Sequence, residues 1–138
     1  MKIRFGLCLL VAAVATGCSE SSSVHTEGIL PGQQIALVGG EYLGNFSTSS
    51  SPSADFQITL NQNGVNLTGS YRGRNDTVEG TVAGTVGADN FTYTLSQTKP
   101  CSGSFSGSGK VNDKSLTASY SGSDCNGAQT GNISVSRQ

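Results

Sequence analysis

Residues 56–73, FQITLNQNGVNLTGSYRG, and residues 105–122, FSGSGKVNDKSLTASYSG, decide the fold. Laid on one another, Phe56 meets Phe105, Asn63 meets Asn112, Leu67 meets Leu116, Tyr71 meets Tyr120 and Gly73 meets Gly122. Each copy reads as a β-hairpin. Asn63-Gly64 is a strong signal for a type I′ turn. Centring the turn there pairs Leu60 with Leu67, Ile58 with Gly69 and Phe56 with Tyr71. The matching turn, Asn112-Asp113, pairs Gly109 with Leu116, Gly107 with Ala118 and Phe105 with Tyr120. In both copies the apolar residues fall on one face, as a half-buried strand pair requires.

The same period of two runs through the chain on either side. Tyr42 and Phe46 share a parity, as do Val78, Val82 and Val86; Phe91, Tyr93 and Leu95; and Ile133 and Val135. Thr, Ser and Asn fill the alternate positions, including the Ser run at 102–108. This pattern is half-buried antiparallel β with polar turns. No helical period follows residue 17. The expected fold is all-β: an eight-stranded antiparallel up-and-down meander closed into a small barrel, with a two-sheet β-sandwich as the alternative. Closure removes both sheet edges. Inward glycines fit a narrow barrel, whose lining must alternate large and small residues. Gly80 and Val82 are repeated as Gly131 and Ile133 after an insertion near Ser123–Asn126, so the domain reads as four strands duplicated into eight.

Residues 1–17 form a leader. Lys2 and Arg4 are its basic start, residues 5–14 its apolar run, and Ala15-Thr16-Gly17 a small-residue cleavage site. Small residues running straight into Cys18 resemble a bacterial lipobox. That resemblance implies acylation of Cys18, a membrane-held N-terminus and, with Ser19 next, placement in the outer membrane. Several acyl chains, palmitate among them, make a stable anchor where one would not. Residues 18–40, rich in Ser and Gly, are expected to be a tether, in which Ile29, Leu30, Ile35, Leu37 and Val38 offer an extra first strand over residues 28–38. Residues 41–138 then form the barrel domain.

Cys101 and Cys125 flank the second hairpin, and the export signal implies an oxidising compartment, so the two are expected to form a disulfide. Cys8 leaves with the leader. The only histidine, His25, lies in the tether. Most carboxylates sit in turns, where Asp bonds the local backbone. A loose calcium site from Asn112, Asp113, Asp124 and Asn126 matches no known loop. No metal, cofactor or catalytic residue is therefore assigned, and no enzyme activity is expected. Without the leader, six basic residues face nine acidic ones, which argues against a nucleic-acid surface.

Gly40-Glu41-Tyr42 opening an eight-stranded meander resembles the avidin and lipocalin group of barrels, with Tyr42 where that group has Trp. The resemblance implies a small barrel with a ligand mouth. Candidate lining residues are Tyr42, Tyr71, Tyr93 and Tyr120, and Arg72 and Arg74 are candidate anion contacts. The function expected first is that of a non-catalytic envelope lipoprotein whose β-domain binds or supports a partner. A small-molecule carrier using the barrel mouth stands second, and an enzyme of unknown class last.

Overall fold

A computed structural model describes residues 34–138. Eight antiparallel strands follow in order: β1 (Gly40–Thr48), β2 (Ser51–Asn63), β3 (Asn66–Gly73), β4 (Val78–Val86), β5 (Asn90–Lys99), β6 (Gly103–Asn112), β7 (Ser115–Asp124) and β8 (Gly127–Arg137). Each pairs with the next, and β1 pairs with β8 to close a barrel. The fold expected from the alternation is the fold observed, and the sandwich is excluded.

Phe56, Leu67, Tyr71, Val82, Leu95, Phe105, Leu116 and Tyr120 are buried inside with their parity partners. The Ser and Thr positions face out. This is the reverse of a membrane-spanning barrel, whose outer band is apolar.

The hairpin register differs from the expected one by two residues, in both copies alike. Phe56 lies opposite Gly73 and Ile58 opposite Tyr71. Phe105 lies opposite Gly122 and Gly107 opposite Tyr120. A slip of two leaves every side chain on its expected face. The turns are therefore Gly64-Val65 and Asp113-Lys114. Only the first residue of each has positive φ, +60° at Gly64 and +49° at Asp113. That is the φ pattern of a type II′ turn and not of type I′. The duplication itself holds across the barrel: Tyr71 faces Gly80 on β4, and Tyr120 faces Gly131 on β8.

The two ends of the barrel differ. At one end, residues 34–39 form a strap and not a strand; the earlier part of the extra strand considered above, with Ile29 and Leu30, lies outside the described residues. Val38 is buried, and its N–H donates to Gln62 Oε1 at 2.7 Å. Gln62 Nε2 donates back to the Ala36 carbonyl at 2.9 Å, and the Ala36 N–H donates to the Gly87 carbonyl at 2.9 Å. Arg137 Nη2 holds the carbonyls of Leu37 and Gly39 at 2.9 and 2.8 Å. The other end is a mouth, formed by the loops β1–β2, β3–β4, β5–β6 and β7–β8.

Candidate functional site

The mouth opens into a cavity of about 100 Å³. Its floor is aromatic. Phe46, Phe56 and Tyr71 stack in a row with centroids 5.6 and 5.5 Å apart, and Phe105 meets Tyr120 edge-on at 5.7 Å. Phe56, Tyr71, Phe105 and Tyr120 fit because each faces a glycine, Gly73, Gly80, Gly122 and Gly131 in turn. A Cβ at Gly122 would lie 2.5 Å from the Phe105 Cα, and one at Gly80 would lie 2.8 Å from the Tyr71 hydroxyl. Deeper in, a void of only about 30 Å³ remains among Ile58, Leu60, Val82, Leu116 and their neighbours. The interior is a filled core.

Arg74 stands at the rim. It opens the β3–β4 turn, in which Arg74, Asn75 and Asp76 all have positive φ, at 52°, 55° and 62°. Asn and Asp tolerate this region; an arginine there costs conformational energy. Asp55 holds the turn: its carbonyl accepts from the Arg74 N–H at 3.1 Å, and its carboxylate accepts from the Asn75 N–H at 3.0 and 3.2 Å. The result sets the Arg74 guanidinium 5.5 Å from the centre of the Phe46 ring. Arg74 has no ion-pair partner among the described residues. Arg72 is turned outward, where Nε donates to Gln57 Oε1 at 2.8 Å and lies 3.5 Å from Asp76. The structure thus separates the two arginines, and Arg74 alone lines the cavity.

Asp124 lines the opposite rim. Its Oδ1 accepts from the Asn126 N–H at 2.8 Å and from Gln129 Nε2 at 3.1 Å, and its Oδ2 accepts from Gln97 Nε2 at 3.2 Å. Burial opposes its charge, but these hydrogen bonds outweigh that and hold its pKa below the ordinary carboxylate value. Beside it, Cys101 and Cys125 form a disulfide that ties the β5–β6 loop to the β7–β8 loop. Both sulfurs are used in that bond, so the cluster of Cys101, Asp124 and Cys125 offers a metal only the carboxylate. Asn112 and Asp113 lie at the strapped end, the length of the barrel away from Asp124 and Asn126.

The four tyrosines divide between the ends. Tyr42 is at the strap, where its hydroxyl donates to the Val38 carbonyl at 3.0 Å and accepts from Arg137. Tyr93 is in the core and donates to the Ser119 carbonyl at 2.9 Å. Tyr71 and Tyr120 line the mouth cavity. Tyr120 donates to the Ser47 carbonyl at 2.8 Å. The Tyr71 hydroxyl has no partner, although Tyr71 is only 4% exposed. Desolvation, with a smaller contribution from Tyr120, pushes its pKa up to about 12. Desolvation raises Tyr120 too, against the pull of Arg74.

Two mouth residues escaped the sequence reading. Gln97, the one buried polar residue among those described, continues the inward parity of Tyr93 and Leu95, and that was its signal. Asp124 read as an ordinary turn carboxylate, and nothing local distinguishes it. Cys18 and His25 lie outside the described residues. No protein-family model, curated protein or solved structure matches the chain.

Proposed function

We propose that this chain is a non-catalytic, lipid-anchored protein of a bacterial cell envelope, most consistent with the outer membrane, whose barrel binds a partner at its open mouth. The observation that carries this reading is the asymmetry of the barrel. The described chain begins at the strap, at the end of the barrel opposite the mouth, which leaves the mouth uncovered by the described residues that lead into the domain. The filled interior supports the same reading. A cavity of about 100 Å³ falls below the ~300 Å³ at which pockets for drug-sized ligands begin. A bulky cargo therefore has no room, whereas a partner needs only the rim. At the rim, hydrogen bonds hold the Arg74 backbone and the Asp124 carboxylate, and the Arg74 guanidinium lies against the Phe46 ring, so the contact surface is preorganised.

The test is purification of the full chain from its native envelope in three forms. The unaltered protein should sediment with membranes and carry a partner in fixed proportion. Cys18→Ala should leave the domain folded but move it to the soluble fraction. Arg74→Glu should stay membrane-bound and lose the partner. If Cys18→Ala still sediments after a high-salt wash, the anchor is wrong. If Arg74→Glu retains the partner, the mouth is the wrong surface.

A further inference from the structure

Three strand-interior tyrosines repeat one device. Each faces a glycine, and the missing side chain there lets the ring cross toward a serine carbonyl on the strand beyond. Tyr93 crosses Gly107 to the Ser119 carbonyl at 2.9 Å, and Tyr120 crosses Gly131 to the Ser47 carbonyl at 2.8 Å. Tyr71 crosses Gly80, and the corresponding carbonyl is that of Ser96, which approaches the same glycine. Yet Tyr71 makes no bond to it. Of the three residues, Tyr71 and Tyr120 line the mouth cavity, and Tyr71 is the one whose buried hydroxyl is unpaired. A buried donor without an acceptor is costly, and native proteins leave few of them.

The other groups at the cavity show what acceptor would suit. Tyr120 already donates its hydrogen bond to the Ser47 carbonyl. Asp124 already accepts three hydrogen bonds. The Tyr71 hydroxyl and the Arg74 guanidinium have no protein acceptor among the described residues; Thr48, Gln97, Asn126 and Gln129 add polar side chains around Asp124 and the rim, and Phe46, Phe56, Phe105 and aliphatic side chains form the apolar surface. The site therefore offers an apolar floor, one unpaired buried hydroxyl and one cation. A phosphate or sulfate dianion would be opposed by the Asp124 carboxylate across the rim. A monoanion with a short apolar body meets all three conditions.

We propose that the mouth cavity binds a small organic monocarboxylate, whose apolar body rests on the aromatic floor and whose oxygen accepts from the Tyr71 hydroxyl while Arg74 neutralises its charge. The inference rests on the reading of the mouth as the working end, and it names a ligand for that end. In the envelope, the same group can arrive as a free acid or as a carboxylate side chain of the partner.

The test is an NMR titration of the purified full chain with isobutyrate and benzoate, each run against its uncharged amide. The acids should give saturable shifts confined to the mouth residues and absent from the strap around Val38. The amides should bind about tenfold more weakly or worse. Tyr71→Phe and Arg74→Gln should each weaken the acids by about tenfold. Tyr71→Phe should at the same time raise the denaturation midpoint of the ligand-free protein, because it removes an unpaired buried hydroxyl and nothing else. A lower midpoint would mean that the hydroxyl is bonded in solution, to Ser96 or to a fixed water, and would overturn the proposal. So would equal binding of acid and amide, or no saturable shift at millimolar acid. If the acids fail while Arg74→Glu still loses the envelope partner, the carboxylate falls and the mouth reading stands.

Discussion

Tyrosine carries much of this barrel's internal order, because one side chain can fill a core and still satisfy its hydroxyl at a distant carbonyl. That arrangement has a pH limit. Desolvation raises Tyr71 to about 12 and pushes Tyr93 and Tyr120 upward as well. In the unfolded chain all three titrate at about 10. The folded state thus holds these protons more tightly than the unfolded state. The stability linked to them is complete below about pH 10 and is lost as the pH rises toward about 12. Urea midpoints measured between about pH 8 and about pH 11.5 should be level first and then fall, in step with tyrosinate absorbance. Tyr93→Phe should flatten part of that fall. A midpoint that ignored pH across this window would mean that the hydroxyls reach solvent.

Within the hairpins, alternation settled which face each side chain takes but left the register open by two residues, since a two-residue slip costs no inward residue its place. The deciding factor is size. In the expected register Phe56 would face Tyr71 directly, and Phe105 would face Tyr120, two large rings abreast in a narrow barrel. In the observed register Phe56 faces Gly73 and Phe105 faces Gly122, and the rings meet on the diagonal. Large against small was the available signal, and the Asn-Gly turn preference obscured it. The same shift explains the arginines. Arg72 has the outward parity of β3, whereas Arg74 lies past the strand end, where parity no longer applies. The turns yield a paired prediction. Gly64 has φ of +60° with open space around its missing Cβ, so only the backbone demands glycine there. Gly64→Val should cost more than about 1 kcal/mol, because a β-branched residue is strained at positive φ. Asp113 occupies the same position at +49°, so Asp113→Gly should be neutral or stabilise by up to about 1 kcal/mol. Thermal unfolding of both variants reads the outcome, and an unchanged midpoint for Gly64→Val would remove the equivalence of the two turns.

The barrel as a whole is one closed sheet with a strap at one end and a disulfide at the other. Closure and polarity were legible from period and composition. The strap was not, because residues 34–39 have no period, and Val38 is buried by the bonds of Gln62, Tyr42 and Arg137, two of them far away in the chain. The disulfide was legible both as a pairing and as a bridge at the open end of the second hairpin. It closes the open base of the β6–β7 hairpin, as the flanking positions of the cysteines implied, and in doing so joins two mouth loops, with Cys125 in the β7–β8 turn. The two cysteines are 24 residues apart, and closing a loop of that size in the unfolded chain contributes roughly 3.5 kcal/mol. Domains of this size total about 5–15 kcal/mol, so the bond is a large share without being the whole. Replacing Cys101 and Cys125 together by Ser should therefore lower stability by about 3 kcal/mol in urea while leaving the barrel folded. The loss should also be uneven. Asp124 and Gln97 meet beside the bridge, so amide exchange should speed up first around residues 97–103 and 123–129, and the strap should keep its protection until global unfolding. If the native protein shows free thiols at both positions, or if Val38 and Asp124 lose protection together, the bridge is not what holds the mouth in shape.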